Sequence, residues 1–193
     1  MSDTPPFLVR HPSAPSRQLG EPGPDDATLE RLLTEAVRVP DHGKLTPWRM
    51  IVLRGEAKLE LGRRLAAMTI RKNPDLPDAK KDKERQRYTH APLVIAVVAR
   101  LDPDSRIPEQ EQLLSAGCVA YNLLLGAQAL GFGAQWLTGW AAYDRDAAAL
   151  LGLADDEHAN ERVVGFVHIG TPGIEIPERN RPALADVVST WAP

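Results

Sequence analysis

Pro92-Leu93-Val94-Ile95-Ala96-Val97-Val98-Ala99 is the strongest strand signal in this chain, and it is apolar on both faces. Such a strand belongs in the middle of a sheet covered above and below. At 193 residues and 43% hydrophobic, the chain can bury one sizeable core, and a single domain over 1–193 is the default.

The other elements surround that strand. Asp25 or Asp26 can cap a helix whose Leu29, Leu32, Leu33, Ala36 and Val37 share one face, and Pro40 stops it. Met50–Leu53 is a short buried strand ended by Gly55, and a helix follows from Glu56 to Met68. The longest helix runs from Pro108 to Leu130 and is crowded with small residues, Gly117 and Gly126 among them. Each glycine weakens a helix by about 1 kcal/mol relative to alanine; close packing against a neighbour offsets that cost. Gly131-Phe132-Gly133 breaks the helix, and Ala134–Gly139 reads as a strand entering a turn. Asp144 caps a short helix ending at Gly152, Val163–Ile169 is the last strand, and an amphipathic tail runs through Trp191. The elements do not alternate as βαβ units. They predict an α+β fold, a small, mostly antiparallel sheet surrounded by helices.

Two segments stand apart. The arm 1–24 is rich in proline and lacks periodicity. Residues 71–90 carry ten acidic or basic side chains between Arg71 and His90 besides Arg71 itself. They read as a solvated charged loop or mobile helix, with a lid over a site as the alternative.

Charge narrows the function. With 23 basic and 26 acidic residues the net charge is −3, which speaks against a dedicated nucleic-acid binder. No apolar run approaches the ~20 residues needed to cross a bilayer, and the start does not read as a signal peptide. The one cysteine, Cys118, reads as an inert core thiol. A reducing cytoplasm is the expected setting. His90, His158 and His168 lack ligand-like spacing, so no metal site is expected. There is no G-x-G-x-x-G after a first strand and no P-loop lysine motif.

The densest loop is Arg38-Val39-Pro40-Asp41-His42-Gly43-Lys44-Leu45-Thr46-Pro47-Trp48. Two prolines, a glycine, a histidine and alternating cations there suggest a loop that holds a ligand against a rigid scaffold. Each residue also has a plainer reading. Arg38 suits a helix C-terminus for dipole reasons alone, and Trp48 and Trp136 suit packing.

Taken in order, these segments resemble the nitroreductase family of FMN-containing, NAD(P)H-dependent oxidoreductases. The segments are Glu21–Pro24, the R-x-P-D-H-x-x-x-x-P-W loop from Arg38 to Trp48, Ser115–Cys118, Gly131–Trp136 and Val164–Pro172. The resemblance implies a homodimer with FMN sites shared between chains, and the long helix at the interface. Carried over by position, Arg38 and His42 become flavin contacts supplied across the interface. Trp136, Leu137 and Thr138 become a backbone-rich flavin contact, and Gly126, Ala127, Gln128, Ala129, Leu130 and Gly131 the NAD(P)-binding segment. Relatives begin with R-R-S to hold the phosphate; here Arg10-His11-Pro12-Ser13 loses the second arginine, leaving Arg10, His11 and Ser13. Arg179 and Arg181 resemble a second basic pair directed at the phosphate.

The chemistry suits these residue types. A dianionic phosphate needs guanidinium forks, hydroxyls or amide N–H groups. Flavin accepts hydride at N5 and gathers negative charge near N1 and O2, where a cation such as Arg38, His42 or Arg17 favours reduction. The flavin does the chemistry, so no catalytic side chain is expected. The acceptor would be a nitroaromatic, quinone or similar small molecule. The alternatives are a non-catalytic flavin-binding or sensing protein, and a same-fold enzyme with other flavin chemistry such as dehalogenation.

Overall fold

The computed structural model describes residues 13–153, 160–177 and 180–192. Among the described residues, five strands form one antiparallel sheet: β1 (Leu19–Gly20), β2 (Trp48–Arg54), β3 (Leu93–Leu101), β4 (Gly133–Leu137) and β5 (Asn160–Pro172). β5 pairs with β3 from Leu93↔Ile169 to Leu101↔Asn160, and with β4 from Gly133↔Gly170 to Leu137↔Phe166. Its last two residues, Thr171 and Pro172, pair with β1. β2 lies against β3, from Trp48↔Ala99 to Arg54↔Leu93. β3 is therefore flanked on both edges, and all its residues except Arg100 are buried. It is the covered central strand that its two apolar faces predict.

Alternation along β3 divides the core in two. Ile95, Val97 and Ala99 face α4 (Glu109–Ala129), which meets them with Ala116, Val119, Ala120, Leu123 and Ala127; α1 (Asp26–Ala36) adds Leu29, Leu32 and Ala36. Val94 and Ala96 face α2 (Gly55–Lys72), with Leu61, Leu65 and Met68, and also Tyr88, Phe166 and Ala147 of α5 (Arg145–Leu150). Helix α3 (Asp78–Gln86) lies beside α2, and a final turn, α6 (Leu184–Val187), is exposed. Glycine at 126 has a packing reason: a Cβ there would stand 2.6 Å from Leu32 Cδ1.

Several boundaries move. Asp25 caps α1, its carboxylate accepting from the Thr28 N–H at 2.8 Å. The helix ends at Ala36, well before Pro40, and leaves Val37 exposed. The Asn122 amide donates to the Ala36 and Arg38 carbonyls at 3.3 and 3.2 Å, satisfying groups that another helical turn would have used. β2, β5 and α2 are longer than their apolar runs, because pairing and packing carry them past the last hydrophobic residue. Residues 71–90 are not a plain loop, since α3 occupies their middle and buried Tyr88 anchors their end. Within the 1–24 arm, residues 16–18 form a 3-10 turn and β1 follows.

Cys118 is a correction: it is exposed. The core face of α4 runs through Ala116, Val119, Ala120 and Leu123, so Cys118 shares the opposite face with exposed Leu114 and Tyr121.

β5 carries one titratable group into the second core layer. His168 is 1% exposed, and its Nδ1 is the one buried side-chain atom without a partner among the described residues. Its ring lies 5.4 Å from that of Tyr88. Burial pushes the imidazole down to about 4, and the Arg87 and Lys58 cations push the same way. The folded protein thus holds His168 neutral, whereas the unfolded chain takes a proton near pH 6.5. The stability that neutral His168 contributes is complete above pH 6.5 and lost as pH falls to about 4, on the order of 3 kcal/mol in all. Denaturant unfolding at a series of pH values should show that decline. His168→Leu, of similar size, should flatten it over the same window.

Candidate functional site

The candidate residues fall into two groups in the fold. The first lies along β4. The Ala134 carbonyl turns away from β5 and accepts from the Ala14 N–H at 3.0 Å. Peptide groups alternate in direction along an antiparallel strand, so those of Trp136 share that outer edge. The arm seats closely on the strand. A Cβ on Gly133 would lie 2.7 Å from Leu19 Cδ2 and 3.0 Å from Ala14 Cβ, and the Ser16 N–H donates to Gln135 Oε1 at 2.6 Å. This sets exposed Ser13 at the head of the β4 edge. Arg10, His11 and Arg179 lie outside the described residues; Arg17 and Arg181 are exposed.

Trp136 packs tightly. Its indole N–H donates to the Val164 carbonyl at 3.2 Å, and a Cβ on Gly165 would stand 2.0 Å from Trp136 Nε1. Trp136 also lines a cleft of about 910 Å³ with Leu113, Leu114 and Gly117 of α4, Tyr143, and Ala148 of α5. Leu137 is half-buried, and Thr138 is exposed just past the strand. At Gly139 the chain turns with φ 63° and ψ −173°, a conformation open essentially to glycine.

Two residues there escape a reading of the sequence. Arg87 Nη1 lies 3.8 Å from where a Cβ on Gly139 would stand. The same guanidinium donates through Nε to Glu84 at 3.0 Å and through Nη2 to the other Glu84 oxygen. Pairing with Glu84 raises the guanidinium's already high pKa, so Arg87 is a fixed positive charge. Their signal is an acid and a base three residues apart, directly before the buried Tyr88.

The second group sits on the loop after α1, stapled to α4. The Ser115 hydroxyl donates to the Pro40 carbonyl at 2.8 Å, and Asn122 holds the Ala36 and Arg38 carbonyls. Arg38 is exposed, with Glu35 at 3.6 Å. His42 Nδ1 donates to Glu111 Oε2 at 2.7 Å, which leaves Nε2 as the ring atom free for another partner. The loop is strained: Gly43, Lys44 and Thr46 all have positive φ, at 73°, 56° and 51°. For the β-branched Thr46 this is an outlier. Asp41 holds the shape, accepting from Leu45 N–H at 3.1 Å and Thr46 N–H at 2.9 Å.

Within one chain, the bonds of Arg38 and His42 run to α1 and α4, none to β4. Arg38 instead shares a groove of about 390 Å³ with Gly126, Ala129 and Leu130. Of the remaining Gly126–Gly131 residues, Ala127 is fully buried in the core, Gln128 is half-buried and Gly131 is exposed with φ 88°. Among the described residues no group of three or more His, Cys, Asp or Glu is placed to hold a metal ion.

A model of the nitroreductase family matches residues 17–171. A candidate NAD(P)H nitroreductase of Haemophilus influenzae is 38% identical over 165 residues, covering 85% of this chain and 86% of its own. Among solved structures, a nitroreductase-like family protein of Bacillus cereus superposes with a TM-score of 0.78 at 21% identity, over 99% of this chain and 98% of its own. A candidate nitroreductase of Desulfovibrio desulfuricans solved in complex with FMN gives 0.73 at 21% identity, over 98% of each chain. At these identities the two structures speak for the fold.

The strained loop yields a prediction. Asp41→Ala removes two hydrogen bonds to a carboxylate and should lower unfolding stability by about 1–3 kcal/mol. Amide exchange at Leu45 and Thr46 should accelerate more than exchange along β3. A variant with wild-type exchange at both amides would show that Asp41 does not hold the loop.

Proposed function

This chain belongs to the nitroreductase family, and we propose that it is an FMN-dependent oxidoreductase that oxidises NAD(P)H and reduces an electron-poor acceptor such as a nitroaromatic or quinone. The observation that carries this reading is the edge of β4. It offers outward peptide groups at Trp136, the arm's Ser13 at one end and a bare Gly139 beside a fixed guanidinium at the other. Such a run suits a long ligand with an anionic head and a flat, acceptor-rich ring, the outline of FMN.

When bound, FMN supplies the hydride acceptance from NAD(P)H and the delivery to the second substrate. The chain's residues do the rest. Ser13 and Arg181, with Arg10, His11 and Arg179, would hold the phosphate. Trp136, Leu137 and Thr138 would fix the ring through backbone groups while the Trp136 indole stays anchored to Val164. Arg38 and His42 would reach the ring from a second copy of the chain, with Glu111 keeping Nε2 of His42 outward. The groove at Gly126, Ala129 and Leu130 would take the nicotinamide nucleotide.

A homodimer fits what the single chain leaves bare. Leu114 on α4 is 61% exposed, and the tail presents Leu184, Val187, Val188 and Trp191, the last 83% exposed. Apolar side chains left this exposed suit a partner surface. No helix of the described residues is long and apolar enough to cross a membrane, and a cytoplasmic setting accords with the lone cysteine.

Purified protein should carry FMN, run at twice the 21.1 kDa chain mass in light scattering, and consume NAD(P)H with a nitroaromatic acceptor faster than free FMN does. Bound flavin without turnover would favour a carrier or sensor. A colourless protein that refuses added FMN would refute the enzyme reading.

A further inference from the structure

We propose that Arg87, braced by Glu84, is a flavin contact in its own right: it faces the carbonyl edge of the ring and stabilises the negative charge which that edge gains on reduction. The proposal rests on the reading above that FMN lies along β4. Four observations carry it. First, Glu84, Arg87, Thr138 and Gly139 line a recess of about 10 Å³, room for one oxygen-sized group. Its other walls are Leu65, Tyr88, Trp140 and Ala141, so the side-chain donors nearest an acceptor atom entering it are the guanidinium and the Thr138 hydroxyl. Second, Gly139 keeps the approach open, since any side chain there would stand in contact with Arg87 Nη1.

Third, the guanidinium is divided. Nε and Nη2 are committed to Glu84, which fixes the plane, while Nη1 faces position 139 with its own N–H donors. Fourth, the neighbouring titratable groups are engaged elsewhere or neutral: Lys72, over the Trp140 ring that also lines the recess, pairs with Asp144. Lys58 is turned to the Ala91 carbonyl, His168 is held neutral, and burial keeps the Tyr88 phenol protonated. With Arg87 present the recess is balanced; without it, Glu84 alone would oppose added negative charge. The ion pair is largely shielded, 29% and 15% exposed, which strengthens its field relative to a surface pair. An acceptor oxygen on the edge of a ring that becomes anionic is the ligand chemistry this recess suits, and the pyrimidine edge of flavin has it.

The test compares wild type, Arg87→Ala and Glu84→Gln by titrating apoprotein with FMN and by measuring the midpoint potential of the bound flavin. Arg87→Ala should bind oxidised FMN roughly tenfold more weakly. It should bind the reduced form about tenfold more weakly still, which lowers the two-electron potential by about 30 mV. Glu84→Gln should raise the potential, because the guanidinium then acts uncompensated. Opposite shifts from the two variants are what a purely structural ion pair would not give. Wild-type affinity and potential in a folded Arg87→Ala protein overturn the proposal while leaving the FMN reading intact. If Arg87→Ala does not fold, an unchanged or lowered potential in Glu84→Gln overturns it. A wild-type protein that takes up no FMN overturns both.

Discussion

The pairing of β5 on both of its edges is the constraint on which the rest depends. This one strand holds β3 on one edge and β4 on the other, and its last residues pair with β1, which lies within the N-terminal arm. Among the described residues β4 pairs with no strand but β5, so its other edge faces away from the sheet. An open edge is a liability unless something covers it. At Ala134 the arm covers it. At Trp136 and beyond, the proposed cofactor would take that role, which turns a weakness of the sheet into a binding site.

Close approach at β5 explains why the edge is so well fixed. Gly165 leaves room for the Trp136 indole to reach the Val164 carbonyl, and Gly133 leaves room for Leu19 and Ala14. On the other side of α4, rigidity comes from strain held in place. Asp41, Ser115 and Asn122 pin a loop with successive positive-φ residues, and Glu111 orients His42. Both groups of candidate residues are thus held in place by contacts within the single chain.

Much of this was legible in the residues. The apolar run at Pro92–Ala99 announces the central strand, and the loop at Arg38–Trp48 stands out through its density of special residues. Gly126 of α4 announces close packing, although Gly117 meets only the far end of Trp136, at 4.0 Å. What escaped did so for physical reasons. Cys118 sits in an apolar stretch of α4 whose small residues blur the helical period, so its face could not be read. Arg87 and Glu84 were hidden in a charged segment where composition says solvent; only the tertiary contact with Gly139 separates them from their neighbours. His168 looked like any strand residue until the sheet closed over both faces. Pairing between distant segments, not local pattern, decided each case.

The central claim is that a flavin site needs the β4 edge of one chain and the Arg38–His42 loop of the other. Mixed dimers test it. One chain would carry Ser13→Asp, which sets a negative charge where the phosphate should lie; the other would carry Arg38→Ala with His42→Ala. Each variant alone should hold FMN poorly. Unfolded together and refolded, the mixture should regain flavin binding and NAD(P)H turnover, because each mixed dimer rebuilds one site from two intact halves. A mixture that binds no better than its parents would contradict a site shared between chains.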